Sequence, residues 1–338
     1  MKRIAALGLS LIGLCALLHA QPPQVQIHNK QLRLTIYTPD PQNGFYRATR
    51  FEWGGAICDL KFAGHHLYRP WFNSVDASVR DVKFDGDKII VGPNTAMCGP
   101  AEEFPTPIGY DSAKPGDSFL KIGVGLLRKA DNNRYFFGTQ FQIVDGGSWP
   151  VRHTSRSVTS RQVLGGPGDK YGYVYTKTIR LVGNRSQIVI EHTLKNTGKT
   201  PLDARLYDHN FFTVDGLNVG PADSVKVLYA IKPARLPNPA FAKVEGNRVF
   251  YVAPVTEENR VAWGLQGFSN EPRDYDFTVT NTAAPVQVHF QGNRPLINAV
   301  AWSIRSIFAV EPFIQIKADP GQTFTWSYTY TYSIPAKK

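Results

Sequence analysis

The chain has 338 residues, 42% of them hydrophobic and 19% charged, with a formal net charge of +11. That balance excludes an intrinsically disordered chain, and the length is enough to bury one large core or two smaller ones. The basic residues are scattered, with no Lys/Arg run or helical stripe. The charge therefore fits a solvated surface or an affinity for anionic glycans and cell envelope, and no nucleic-acid partner is expected.

In chain order, "MKRIAALGLSLIGLCALLHAQ" comes first. Lys2 and Arg3 precede an apolar stretch from Ile4 to Leu18, and the small Ala20 stands before Gln21, the pattern of a secretory signal peptide over residues 1–20. The stretch is shorter than the ~20 residues of a spanning helix, so no stable membrane span is expected after cleavage. Residues 21–338 are then expected as one secreted or periplasmic domain. Cys15 follows Leu14 where lipoprotein processing wants a small residue, so lipidation is not expected. Cys58 and Cys98 remain in the mature chain; an oxidising compartment permits a bridge, and two buried thiols fit the sequence as well.

Short alternating runs follow: Gln31 to Thr38, Arg134 to Val144, Val174 to Leu181, Gln187 to Leu194, Ala204 to Phe212 and Val286 to Phe290. Gly, Pro, Asn and Asp clusters separate them, as in all-β structure. "TLKNTGKTPLDARLYDHNFF", from Thr193 to Phe212, reads as a hairpin. In the last run, "TFTWSYTYTY", Phe324, Trp326, Tyr328, Tyr330 and Tyr332 share one face and threonines the other. No long segment keeps a 3.6-residue period, and no repeat or linker divides the mature chain. The expected fold is all-β, a large single-domain β-sandwich.

Among the ionisable groups, His192 shares strand parity with Ile188, Ile190 and Leu194, which predicts a buried structural histidine. His65 and His66 are adjacent, point to opposite sides of a strand, and make a poor metal pair. No HExxH, CxxC or Gly-rich phosphate loop is present, so no metal or cofactor is expected. Arg205, Tyr207, His209 and Phe211 fall on one face of their strand, and Asp208 and Asn210 on the other. Such a polar, aromatic face suits a sugar cleft, and it equally describes a strand with one wet face.

The stretch "IVIEHTLKNTGKTPLDARLYDHNFF" resembles the central segment of the galactose mutarotase-like (aldose 1-epimerase-like) superfamily, in which a strand ends in an H-x-[FY]-F element matched here by His209, Phe211 and Phe212. "FAVEPFIQIKADPGQTFTWSYTYTY" resembles the family's glutamate and Pro-Gly turn, with Glu311 and Pro320-Gly321 in those places. "RATRFEWGGAICDLKFAGHHLY" resembles its N-terminal hairpin, with Gly55-Ala56 at the Gly-Ala pair. The resemblance implies a β-supersandwich whose concave sheet face binds a monosaccharide or glycan end. It also implies a glutamate, Glu311, that takes a proton from the anomeric hydroxyl and a histidine, His209, that protonates the ring oxygen. His209 would then have to be protonated at rest, with Asp208 able to assist only if strand twist brought it round.

The sequence departs from the pattern where the epimerases carry a further histidine before glycine. "CGPAEEFPTPIGYD" stands there and offers Glu102 and Glu103, which could hold sugar hydroxyls, bind a cation or be solvated. Arg205, Tyr207, Glu102 and Glu103 are the expected substrate-binding residues, and three readings follow: an isomerase acting at the anomeric carbon, taken first; a carbohydrate-binding module without catalysis; and a lyase or envelope-glycan protein, in which Arg205 with Tyr207 would supply a base beside a group that neutralises a uronate carboxylate.

Overall fold

Alternation builds the molecule. Along Tyr173–Leu181 every second residue is buried, and along Thr323–Ser333 Trp326, Tyr328, Tyr330 and Tyr332 are buried while Thr325, Ser327 and Thr329 lie on the opposite face. A computed structural model describes residues 21–256 and 258–335, and these are nearly all β, with 3-10 turns at Val214–Gly216 and Pro272–Asp274. The expected signal peptide lies outside the described residues.

Two antiparallel sheets face each other. A ten-stranded sheet is centred on Tyr173–Leu181, Gln187–Asn196, Thr323–Ser333 and Val286–Gly292, in that order. A five-stranded sheet runs Val261–Gly264, Asn298–Ile304, Ile307–Ala318, Leu202–Phe211, Gly99–Glu103. Leu206, Ile314 and Ile316 from the small sheet meet Ile190, Leu194 and Tyr328 from the large one in a single core. The other face of the small sheet carries a second apolar cluster that includes Tyr46, Phe51, Trp53, Met97, Phe211 and Ile307.

Three local expectations are corrected. Thr193 to Phe212 is not a hairpin: Gln187–Asn196 belongs to the large sheet and Leu202–Phe211 to the small one, so the turn carries the chain across the sandwich. The buried Asn196 fixes that crossing, its Nδ2 donating to the carbonyls of Thr200 and Ala318 at 2.9 Å each. A second crossing, from Ile307–Ala318 to Thr323–Ser333, lies beside it, and Gly321 at its turn has φ +82° and donates to Asn196 O. Alternation specifies a strand and its faces but not its neighbour. Arg134 to Val144 is a strand only over Gln142–Asp145, because three consecutive aromatics, Tyr135 to Phe137, would have to fill both faces at once. The third is the N-terminal hairpin, which spans Ala56–Phe62 and His65–His66, while residues 47–55 are a loop beside the edge strand Gly99–Glu103, where Glu52 N donates to Glu102 O at 2.9 Å.

Cys58 and Cys98 are disulfide-bonded, with Cα atoms 5.1 Å apart, and the bridge lies within the second apolar cluster. It ties the Ala56–Phe62 strand to the start of Gly99–Glu103, the strand that carries the paired glutamates.

Candidate active site

Register brings the key side chains together. Leu202–Phe211 pairs with Ile307–Ala318 at Tyr207↔Phe313, and the isolated bridge Phe212↔Phe308 keeps the same alignment, which sets His209 opposite Glu311. On its other side the strand pairs Tyr207 with Glu103 and His209 with Ala101. Side chains at these positions share the outer face of the small sheet, so Glu103, Tyr207, His209 and Glu311 form the floor of one cleft of about 510 Å³. His209 Nε2 lies 3.2 Å from Glu311 Oε1.

Both members of that pair are shifted. Burial raises the Glu311 carboxyl to about 7; Arg50 opposes the rise and Glu103 adds to it. Burial and then the Arg50 charge hold His209 well below the usual imidazole range, so it is neutral at neutral pH. His209 is packed among rings, stacked on Phe211 at 3.8 Å between centroids and edge-on to Trp302 at 5.8 Å, and its Nδ1 has no partner. The protonated resting histidine expected from the resemblance is therefore corrected. Asp208 gives no help, because it points to the opposite face, where Tyr330 and Asn210 bind it.

Beside the pair, Arg50 Nε donates to Glu103 Oε2 at 2.8 Å and its Nη2 donates to the Tyr207 hydroxyl at 3.0 Å. Tyr207 also donates to Glu103, and Lys121 Nζ approaches the other carboxylate oxygen at 3.5 Å. Burial disfavours ionising Glu103, but Lys121 and Arg50 outweigh it and lower its pKa. Burial brings Lys121 down to about 8. Glu103 is thus an ionised anchor for Arg50, with both oxygens engaged.

Glu102 faces the other way, as strand alternation requires. It is fully buried, with Lys177 Nζ at 2.5 Å and His192 Nε2 at 2.7 Å, and Lys177 also meets Glu52 at 2.7 Å. Burial would raise Glu102, but Lys177 and then His192 outweigh it and hold the carboxyl well below the usual range. Burial raises Glu52 to about 8 and lowers His192, leaving Lys177 and Glu102 as the charged members of a neutral cluster. Gly123, with φ +78°, admits the Glu52 backbone where a Cβ would lie 2.2 Å from Glu52 Cβ.

Of the expected site residues, His209, Glu311, Tyr207 and Glu103 line the cleft. Glu102 is a core residue, neither solvated nor in the cleft. Arg205 has the expected parity but is exposed, its guanidinium over the Phe313 ring at 5.2 Å, and does not line the cleft. His192 is buried and stacked on Trp326 at 4.6 Å, as its parity predicts. His65 and His66 bind separate carboxylates, Asp215 and Asp59, at 2.7 and 2.6 Å. Among the described residues no group of three or more His, Cys, Asp or Glu side chains is arranged to hold a metal ion. Cleft residues not singled out in sequence include Arg50, Trp71, Phe136, Phe137, Arg260 and Trp302. They come from loops and from strands distant in the chain, and no local pattern marks them.

No protein-family profile and no curated protein sequence matches the chain significantly. Solved structures do resemble it. A galactose mutarotase-like protein from Lactobacillus casei is 13% identical, with a TM-score of 0.52 over 92% of this chain and 100% of that one. A galactose mutarotase related enzyme from Lactobacillus acidophilus is 11% identical, with a TM-score of 0.50 over 93% and 99%. A galactose mutarotase-like protein from Clostridium acetobutylicum is 10% identical, with a TM-score of 0.50 over 92% and 95%. The chain has the galactose mutarotase-like β-sandwich fold, as its sequence resemblance implied.

Proposed function

We propose that this protein is an exported aldose 1-epimerase-like isomerase, in which His209 and Glu311 open and reclose a sugar ring at its anomeric carbon. The observation that carries the reading is their 3.2 Å contact on the cleft floor, with one proton between them on the acid side of about 7. A neutral histidine with a protonated glutamate, and a histidinium with a carboxylate, are two arrangements of the same one-proton pair. Burial favours the neutral arrangement.

One unprotonated member takes the proton of the anomeric hydroxyl while the other delivers its proton to the ring oxygen. The bond from the anomeric carbon to the ring oxygen breaks and a carbonyl forms. Rotation about the neighbouring carbon–carbon bond presents the other carbonyl face, and the reverse transfers close the ring as the second anomer. Both oxygens sit on one carbon, so two groups in contact can address them together. Arg50, fixed by Glu103 and Tyr207, keeps positive charge beside the oxygens as charge develops.

The pH profile follows from the pair. Above about 7 Glu311 loses its proton while His209 is already neutral, so no acid remains; well below the usual imidazole range both are protonated and no base remains. Catalysed kcat/KM should fall about tenfold per pH unit on the alkaline side of about 7. A rate still rising to pH 9 would contradict the one-proton pair.

Export is supported by the N-terminal pattern and by the Cys58–Cys98 bridge, which needs an oxidising compartment to persist. Intact mass of the exported protein should correspond to a chain starting near Gln21 with both cysteines unreactive to alkylation. A retained Met1, or two titratable thiols, would count against it.

A further inference from the structure

We propose that the cleft takes the reducing end of a sugar chain at least two rings long, with the second ring lying against Phe136 and Phe137. This rests on the isomerase reading for the first ring and extends it to the substrate's size.

The first observation is volume. The 510 Å³ of the cleft lies within the roughly 300–1,000 Å³ of sites that hold drug-sized ligands, which are larger than a free hexose. The second is the distribution of polar groups. His209 and Glu311 stand at the floor, and Arg50, Glu103 and Tyr207 beside them spend much of their bonding capacity on one another. The third is the pair of rings at the edge. Phe136 and Phe137 are 56% and 38% exposed, their centroids are 4.7 Å apart, and both line the same cavity as the acid–base pair. Adjacent exposed rings at the edge of a polar cleft form an apolar patch of the kind that marks ligand-binding grooves. Arg50 stands 4.2 Å over the Phe137 ring, so the shelf begins beside the group that borders the reacting end.

A sugar ring offers what such a shelf needs: an apolar face of C–H groups to lie on aromatic carbon, and hydroxyls at the rim that stay in water. A second ring linked through the far side of the first would cover the shelf and leave the anomeric carbon free at His209 and Glu311.

The test compares cellobiose, maltose and lactose with glucose and galactose in catalysed mutarotation. At least one disaccharide should exceed its monosaccharides by about tenfold in kcat/KM, the scale of one added ring stack. Phe136→Leu with Phe137→Leu should bring that ratio close to one, while Phe137→Tyr, which keeps the ring, should retain it. Calorimetry with the methyl glycosides of the same sugars, which cannot mutarotate, reads binding without catalysis. Tighter binding of the two-ring glycosides, lost in the double leucine variant, supports the second ring position even if no sugar is turned over, and in that case the isomerase reading alone fails. Turnover with a ratio near one in the wild type overturns the second ring position and leaves the isomerase reading standing. A double leucine variant that keeps the wild-type preference, or a protein that neither binds nor turns over any of these sugars, also overturns it.

Discussion

Replacing Glu311 by Gln lowers catalysed anomer exchange by about 10²- to 10⁴-fold, because the amide keeps the shape of the carboxyl but cannot carry the proton of the pair. His209→Asn has an effect of the same order. The double variant loses little beyond either single change, since the two groups act on one transition state and removing either leaves the other without its complement. Sugar affinity changes far less than rate. Losses that multiplied in the double variant would mean that the two residues, although 3.2 Å apart, act independently.

Lys177→Met destabilises the fold by about 3–5 kcal/mol, the range for leaving a buried charge unpaired. Lys177 has no exposed surface and is the cation that meets both Glu102 and Glu52 across the sandwich. Without it Glu102 must ionise against burial, take up a proton, or draw one onto His192, each at a cost the buried lysine otherwise removes. Adding Glu102→Gln to Lys177→Met recovers part of the loss, because the remaining groups are then neutral. Urea titration measures this as a lowered midpoint at unchanged slope. A Lys177→Met protein of wild-type stability but weakened sugar binding would instead return Glu102 to the cleft.

Strand faces were legible in the sequence because burial acts residue by residue. The aromatic face of Thr323–Ser333 and the buried parity of His192 both hold. So does the split of Asp208 from His209: the first goes to Tyr330 in the core and the second to the cleft. Sheet membership was not legible, because the crossing at Asn196 and a hairpin have the same local composition. Applied to Glu102 and Glu103, strict alternation would have separated them in advance, but the Gly and Pro residues around them suggest a loop, whereas Gly99–Glu103 is a strand. Arg50 escaped notice for another reason. Its role comes from Glu103 and Tyr207, which are 53 and 157 residues away in the chain.

Exchange between anomer signals, followed by NMR on reducing sugars with the wild-type protein at pH 6–7, tests the central claim most directly. Protein at catalytic concentration should accelerate exchange between the two anomers of at least one sugar well beyond the buffer rate, and Glu311→Gln should lower that acceleration by about 10²-fold or more. Saturable binding of a sugar with no acceleration of its anomer exchange would contradict the claim and make the cleft a recognition site without chemistry.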